Sequence, residues 1–242
     1  MNPERLRFQA RALEEMGLAP RWVRRDSAMQ TENVAVTSDM ATLDRATDIA
    51  GMEEETLRAS VAGCRACRLC ETRTQTVFGV GVADPEWMIV GEAPGADEDA
   101  RGEPFVGQAG RLLDNMLASV GLSRTQNVFI ANVLKCRPPG NRNPQPDEVR
   151  LCDPYLRRQI ELLAPRLIVA VGKFAAATLL GSDASIASLR GRVHRITIGA
   201  RELPVVVTYH PAYLLRSPQE KAKAWADLGL ARASLLADAA RR

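Results

Sequence analysis

Three cysteines lie within seven residues of this chain, in the segment CRACRLC at residues 64–70, and only Cys136 and Cys152 occur elsewhere among its 242 residues. Cys64 and Cys67 form a C-x-x-C pair. Together with the two distant cysteines they make a four-thiolate set, which suits tetrahedral zinc or a [4Fe–4S] cluster. The spacing leans away from zinc, because zinc ribbons typically use two close pairs, whereas fifteen residues separate Cys136 from Cys152. Spacing alone does not choose the ligands, and a buried structural thiol is the alternative for Cys152.

The composition and charge of the chain limit its class. Hydrophobic residues make up 46% and charged residues 25%, which is ordinary for a globular protein, and the net charge of +3 permits nucleic-acid binding without arguing for it. No run of about 18 apolar residues is present, and the charged N-terminus lacks the apolar core of a secretory signal. We therefore expect a cytoplasmic protein with no membrane partner, whose thiols stay reduced.

Short apolar runs alternate with amphipathic segments from residue 87 onward. The apolar runs at 87–90, 128–131, 167–171 and 205–207 predict buried strands, and the segments near 107–120, 146–163, 173–180 and 219–240 predict helices. Strands that alternate with helices of about ten residues or more indicate βαβ units and a mostly parallel sheet. Ligands of such sheets bind beyond the carboxyl ends of the strands, so the residues that follow each strand form the candidate site.

The first predicted strand is followed by a glycine-rich acidic loop, GEAPGADED, and then by Pro104-Phe105-Val106-Gly107. A phosphate-binding loop is disfavoured, because no Gly-Lys-Ser/Thr is present and the acids would repel phosphate. The alternative is a solvated acidic loop. Phe105 is harder to explain in that way, because an aromatic side chain in a polar loop can stack on a planar ligand.

The second predicted strand is followed by Asn132, whose side-chain amide has both a donor and an acceptor and can bind a planar amide edge. Three cations come soon after it, Lys135, Arg137 and Arg142. Cations at this spacing suit a phosphate backbone.

The fourth predicted strand is followed by His210, one of two histidines. A lone histidine is more often structural than catalytic, but this one lies at a strand end, directly before a proline. The segment Tyr213, Leu214, Leu215 and Arg216 comes next. An apolar side chain beside an arginine can enter a base stack, so this segment is a candidate DNA contact.

The N-terminal quarter has a different pattern. Residues 1–25 predict a short helical extension with a basic end, and 26–55, rich in small and polar residues, predict a linker. Residues 56–242 then form the main domain, which includes the cysteine segment.

The ordered motifs C-x-x-C, GEAPGADED, PFVG, NVLKCRPP, a later cysteine and HPAYLLR span about residues 64–216 and resemble the family 4 uracil-DNA glycosylases. The resemblance implies a three-layer α/β/α fold around a central, four-stranded, mostly parallel sheet. It also implies a [4Fe–4S] cluster and hydrolysis of the N-glycosidic bond of uracil in DNA, which leaves an abasic site and free uracil.

The resemblance also implies roles for individual residues. Glu92 would lie beside the sugar and base, Glu98 would position or activate the water, and His210 would hydrogen-bond the uracil oxygen on which charge develops. Phe105 would stack on the uracil, Asn132 would bind its amide edge, and Ala93 and Asn141 would complete the substrate site. The cluster ligands would be Cys64, Cys67, Cys136 and Cys152, with Cys70 a bystander. The DNA contacts would come from Arg137, Arg142, Tyr213, Leu214, Leu215 and Arg216.

The expected partner is DNA that contains uracil, single- or double-stranded, bound by a monomer, and whether a sliding clamp also binds is left open. Two alternatives remain at this stage. One is a non-catalytic DNA-binding module with an iron–sulfur or zinc site, and the other is a relative that acts on other deaminated bases such as hypoxanthine or xanthine. The complete set of Glu92, Glu98, Phe105, Asn132 and His210 argues for the enzyme. A binding module does not need acids that face a phosphate polymer.

Overall fold

A computed structural model describes residues 44–239, and its centre is a sheet with the strand order β1-β3-β2-β4-β6-β5. The strands are β1 (Val80–Gly81), β2 (Trp87–Gly91), β3 (Val128–Asn132), β4 (Leu167–Val171), β5 (Val193–Ile198) and β6 (Arg201–Thr208). The helices are α1 (Glu54–Gly63), α2 (Ala96–Arg101), α3 (Gln108–Ala118), α4 (Pro146–Leu163), α5 (Lys173–Leu180), α6 (Ile186–Leu189), α7 (Pro211–Arg216) and α8 (Lys221–Ala239).

The four strands predicted from apolar runs are the parallel centre of the sheet, β3-β2-β4-β6. The prediction of a four-stranded parallel core is confirmed, and the sheet is extended by an antiparallel strand at each edge, β1 and β5. The two edge strands were not predicted from the sequence, for physical reasons. β1 is two residues long, and β5 is half-exposed, so neither forms a continuous apolar run.

Helices cover both faces of the sheet, because successive strand residues point to opposite sides. Met88 and Val90 of β2 belong to the apolar cluster formed with α1, α4 and α5. Trp87 and Ile89 belong to the opposite cluster, formed with α3 and α8. The expected three-layer α/β/α arrangement is therefore confirmed. In the part of the chain that the structure describes, no helix combines the length and the apolar character needed to cross a membrane.

The start of the domain differs from the prediction. Residues 44–50 are helical and α1 begins at Glu54, so the end of the predicted linker at 26–55 is ordered domain structure. Ile49 is buried in the same apolar cluster as α1, although its neighbours are small or polar and give little periodic signal. The predicted extension at 1–25 and residues 26–43 lie outside the described residues.

The register of the parallel strands brings the candidate site together. β2 pairs with β3 from Trp87–Val128 through Gly91–Asn132, so the two strands end side by side. At the same carboxyl end of the sheet, β4 ends at Val171, which pairs with Thr208 of β6. His210 lies two residues after Thr208. The segments after β2, β3 and β6 therefore meet above one end of the sheet, as expected for a ligand site of a parallel sheet.

Candidate functional site

A cleft of about 460 Å³ opens at the carboxyl ends of the parallel strands. Its size is typical of small-ligand sites. The three segments predicted to form the site all contribute to its lining, which includes Glu92, Ala93, Glu98, Phe105, Asn132, Asn141, Arg142, His210, Tyr213 and Arg216. The structure thus brings together every residue predicted for catalysis or substrate binding.

Asn132 is the last residue of β3, and its side chain is only 2% exposed. Its Oδ1 atom is buried and accepts no hydrogen bond from the described residues. An unpaired buried acceptor is costly, of the order of 1–3 kcal/mol, unless a ligand supplies the missing donor. The cleft therefore presents a polar atom that requires a donor from its occupant.

Phe105 is buried in the cleft with a left-handed backbone, φ +55°. Arg124 holds this strained loop by donating to the carbonyl oxygen of Pro104 at 2.8 Å and to that of Phe105. Gly110 of α3 allows the close approach, since a Cβ there would lie 1.7 Å from the Phe105 carbonyl oxygen. The Phe105 and His210 rings have centroids 5.5 Å apart. The aromatic face is thus fixed before any ligand arrives, by residues that carry no sequence signal of this role.

His210 lies at the N-cap of α7, where its Nδ1 accepts a hydrogen bond from the backbone N–H of Ala212 at 3.2 Å. An Nδ1 acceptor places the proton of the neutral ring on Nε2. Burial, together with the charge of Arg216, lowers the pKa of His210 to about 4. His210 is therefore a neutral Nε2–H donor near pH 7.

Gly172, at the end of β4, packs directly against His210. Its φ is +96°, and a Cβ there would lie 3.1 Å from the Cβ of His210. The backbone N–H of Gly172 donates to the carbonyl oxygen of Thr208 at 3.0 Å. A larger residue would combine backbone strain with displacement of the histidine, so Gly172 belongs to the support of the site.

The two acids of the loop after β2 lie in different environments. Burial raises the pKa of Glu92 to about 7, and its carboxylate has no hydrogen-bond partner among residues 44–239. The carboxylate of Glu98 instead accepts from the backbone N–H groups of Gly95 (3.0 Å), Val106 (3.0 Å) and Gly107 (3.3 Å). Glu92 is therefore available to a ligand, whereas Glu98 joins its own loop to the segment that holds Phe105.

The segment at 213–216 forms part of α7, and a helix separates its side chains between two sides. Tyr213 and Leu215 are 37% and 41% exposed, whereas Leu214 is 0% exposed. Leu214 was predicted to contact DNA, and the structure contradicts this, because a helix turn directs it towards α3 and α8, where it lies beside Leu228. Leu215 is the exposed leucine of this segment.

The basic segment after β3 divides in a similar way. Arg137 is near the surface and donates through Nε to Asn141 Oδ1 at 2.7 Å. Arg142 forms a two-point ion pair with Glu148 of α4, at 2.9 and 2.5 Å, and still lines the cleft. Lys135 is only 1% exposed, so the expectation that it contacts a phosphate backbone is wrong. Its position shortly after a buried strand keeps it inside the domain.

A second cavity is lined by Cys64, Cys67, Cys136 and Cys152, whereas Cys70 does not line it. The pair Cys64 and Cys67 follows α1, Cys136 follows β3, and Cys152 belongs to α4. Donors face the sulfur atoms. Arg73 donates to Cys136 Sγ at 2.9 Å, and the backbone N–H of Lys135 donates to Cys152 Sγ at 3.3 Å.

Burial raises the pKa of Cys136 to about 11 and that of Cys152 to about 12. Thiolates bind metals and thiols do not, so a group that occupies this cavity has to displace the protons. Within residues 44–239, no three His, Cys, Asp or Glu side chains are grouped as the ligands of a metal ion. The donor set itself, four thiols on one cavity with N–H groups directed at the sulfur atoms, fits a four-thiolate cofactor.

Comparison with known proteins finds similarity over the part of the chain that contains the cleft. The model of the uracil DNA glycosylase superfamily matches residues 78–229, a range that contains every residue of the cleft but not Cys64 or Cys67. The chain is 47% identical over 163 residues to the type-4 uracil-DNA glycosylase of Archaeoglobus fulgidus, a match that covers 66% of this chain and 81% of that protein. The type-4 enzyme of Pyrobaculum aerophilum is 41% identical over 183 residues (74% and 93%). That of Thermotoga maritima is 43% identical over 164 residues (67% and 83%).

Proposed function

The chain belongs to the uracil DNA glycosylase superfamily and, within it, to the type-4 family, and we propose that it removes uracil from single- and double-stranded DNA. The reaction is hydrolysis. Water forms a bond to C1′ of the deoxyribose, the C1′–N1 bond breaks, and free uracil and an abasic site are the products.

The observation that supports this proposal most directly is the unpaired Oδ1 atom of Asn132. Uracil has an N–H donor at N3 beside a carbonyl acceptor at O4, which matches the acceptor and donor of one side-chain amide. Cytosine presents the reverse pattern, an acceptor at N3 and an amino group at C4. It would leave Oδ1 without its donor, and a buried polar atom left unpaired is a strong basis for selectivity.

Phe105 supplies the stacking face for the extruded base. A base inside a duplex is inaccessible to the cleft, and extruding it costs a few kcal/mol. Stacking on an aromatic ring offsets part of this cost, roughly 1–3 kcal/mol per base. The strained backbone at Phe105 is the sign of a ring held in advance for this purpose.

His210 stabilises the leaving group. Breaking the C1′–N1 bond leaves negative charge on the uracil, and a donor preplaced on the oxygen that gains charge lowers the barrier. The neutral ring carries its proton on Nε2 and can donate a hydrogen bond to uracil O2. The helix cap at Nδ1 keeps the ring in this tautomer.

Glu92 stabilises the sugar as it gains cationic character, and this role requires the ionised carboxylate. Because burial raises its pKa to about 7, we expect kcat/KM to increase with pH through about 7 and to level off above it, since kcat/KM reports the free enzyme. The measurement is a pH profile on a uracil oligonucleotide. A Glu92→Gln variant should be slow and show no such rise, and a wild-type profile that is flat from pH 5.5 to 8.5 would contradict the role.

Glu98 acts through the loop that it holds together. Its two oxygens are used by three backbone N–H groups, so its effect on the attacking water is exerted by positioning the loop that carries Glu92. Ala93, which follows Glu92, and Asn141, whose Oδ1 accepts a hydrogen bond from Arg137, also line the cleft.

DNA lies across the mouth of the cleft in this proposal. Arg137 and Arg216 are placed to contact phosphates, with Arg142 retained near the substrate by Glu148. Tyr213 and Leu215 project from α7 and are the side chains available to fill the space that the extruded nucleotide leaves.

The thiol cavity holds a [4Fe–4S] cluster in this proposal, with Cys64, Cys67, Cys136 and Cys152 as ligands. When bound, the cluster supplies cross-links between the segment after α1, the end of β3 and α4, and glycosidic hydrolysis needs no redox step from it. Zinc on the same four thiols is the competing assignment. Iron and zinc analysis of the purified protein, together with absorption at about 400 nm from thiolate–iron charge transfer, separates the two.

Gly91 provides a test of the substrate pocket in which no functional side chain is replaced. A Cβ on Gly91 would lie 2.3 Å from Asn132 Oδ1 and 2.6 Å from the Phe105 ring. We expect Gly91→Ala to lower kcat/KM for uracil DNA by at least about tenfold, since small displacements of positioning groups are costly. Gly229→Ala in α8 is the matched control, because its Cβ would meet no atom within 4 Å. Equal activity of the two variants would contradict the pocket assignment.

The proposed function is tested with oligonucleotides that carry one uracil, thymine, cytosine or hypoxanthine at the same position. The expected result is an alkali-labile abasic site from uracil alone, in both single and double strands. Cleavage at hypoxanthine in place of uracil would move the assignment to another deaminated base. An absence of abasic product from cluster-loaded protein would overturn it.

A further inference from the structure

Lys135 is the largest side chain in the described structure that lies wholly inside the domain, with 1% of its surface exposed. None of the ion pairs formed within residues 44–239 involves it. Burying a charged ammonium is expensive unless an opposite charge or several hydrogen bonds compensate for it. A buried ammonium at this position therefore requires negative charge nearby.

The hydrogen bonds of Lys135 and its neighbours in the fold place it beside the thiol cavity. Its Nζ atom donates to the backbone carbonyl oxygen of Asn132 at 2.7 Å, which uses one of the three ammonium donors. Lys135 is one of the residues that line the thiol cavity, together with the four cysteines. Its backbone N–H donates to Cys152 Sγ at 3.3 Å, and Cys136 is the next residue. The Asn132 carbonyl therefore holds the ammonium group of a residue that lines the cavity and directly precedes Cys136.

We propose that Lys135 is the buried counter-ion of the four-thiolate cluster and controls how firmly the cluster is retained and how easily it is reduced. This inference rests on the cluster assignment made above. A cluster held by four thiolates carries net negative charge, and charge and hydrogen bonds beside the sulfur atoms set its potential.

Two other cations approach the thiols, but neither is placed like Lys135. Arg73 donates to Cys136 Sγ at 2.9 Å and Arg45 to Cys64 Sγ at 3.7 Å, and both side chains are partly exposed. Solvent and salt screen exposed charges and screen buried ones much less. Lys135 is therefore the least screened of the three cations near the thiols.

The test measures cluster loss from the intact holoprotein in the presence of an iron chelator, followed by the decay of absorption at about 400 nm. Lys135→Met keeps the length of the side chain and removes the charge, Lys135→Gln keeps a donor without the charge, and Lys135→Arg keeps the charge. Lys223→Met, at an exposed lysine that pairs with Glu220 on the surface, is the matched control. A second measurement follows reduction of the same samples by dye-coupled titration.

We expect the Met and Gln variants to lose the cluster roughly tenfold to a hundredfold faster than wild type, the range typical of groups that support metal ligands. They should also be harder to reduce, and the Arg variant should restore both properties. The inference would be overturned if both uncharged variants lost the cluster at the wild-type rate and had the wild-type reduction potential. It would also be overturned if the Gln variant matched wild type while the Met variant lost the cluster faster, since that result assigns the effect to the hydrogen bond. If the Met variant fails to fold, the comparison of the Gln variant, which lacks the charge, with the Arg variant, which keeps it, tests the inference. A colourless wild type would overturn the cluster assignment and this inference together, whereas a brown wild type with unchanged variants overturns this inference alone.

Discussion

Replacing His210 with alanine is expected to lower the single-turnover rate of uracil release by about a hundredfold to a thousandfold, the usual cost of removing one donor from a developing anion. The substrate affinity should change much less, because the interaction strengthens as the glycosidic bond breaks. The measurement is a rapid-quench time course on a single-stranded uracil oligonucleotide, with enzyme in excess so that product release does not contribute.

The control for this prediction separates catalysis from folding, because His210 also caps α7 through Nδ1. Losing an N-cap costs about 1 kcal/mol of stability. His210→Asn keeps a capping acceptor but lacks an Nε2–H group that reaches the base. We expect the Asn variant to recover the stability and not the rate. Recovery of the rate by asparagine would show that the cap, and not the donor, accounts for the loss.

The second large effect is expected at the cysteines. With the proposed cluster ligands, Cys67→Ser should abolish the absorption at about 400 nm and lower the free energy of unfolding by more than about 4 kcal/mol, because a lost metal site belongs to the most damaging class of mutation. Cys70→Ser, three residues away, is the matched control. Cys70 lies in the short 3₁₀ helix Arg68–Glu71, and the thiol cavity is lined by the other four cysteines.

Iron content, absorption at about 400 nm and a denaturation curve on both serine variants measure this contrast. We expect Cys70→Ser to retain the iron and the stability of the wild-type protein. Bleaching by Cys70→Ser would show that the ligand set includes Cys70 and that the assignment of the four ligands is incorrect.

The central sheet was predictable because its strands are uninterrupted apolar runs, and helix α4 because Val149, Leu156, Ile160 and Leu163 recur at helical spacing. The rule that ligands bind beyond parallel strands then located Glu92, Asn132 and His210 without any knowledge of contacts. Each of these residues comes within two positions of a strand end, so the backbone alone determines roughly where it lies.

The distinction between similar neighbours was not predictable, because it depends on tertiary contacts. The sequence presents Leu214 and Leu215 as equivalent, but a turn of helix buries the first and exposes the second. Lys135 resembles the other cations of its segment until the fold encloses it. The two loop acids Glu92 and Glu98 are distinguished by their surroundings in the fold, since backbone N–H groups reach the carboxylate of Glu98 and not that of Glu92.

The supporting residues carried no sequence signal at all. Arg124 reaches the strained carbonyl of Phe105 from nineteen residues away, and Arg73 reaches Cys136 from a separation of sixty-three. Their roles follow from distances that a periodic pattern does not encode. Glycines at 91, 110 and 172 are required by close approach of side chains or backbone from other segments.

Hydrolysis of uracil DNA in water enriched in oxygen-18 tests the central claim most directly. The purified protein is incubated with an oligonucleotide containing one uracil, and the free base and the abasic strand are analysed by mass spectrometry. Attack of water at C1′ predicts unlabelled free uracil, whose release is slower by about a hundredfold to a thousandfold in the His210→Ala variant. Label in the released base, or no free uracil from cluster-loaded protein, would contradict the proposed function.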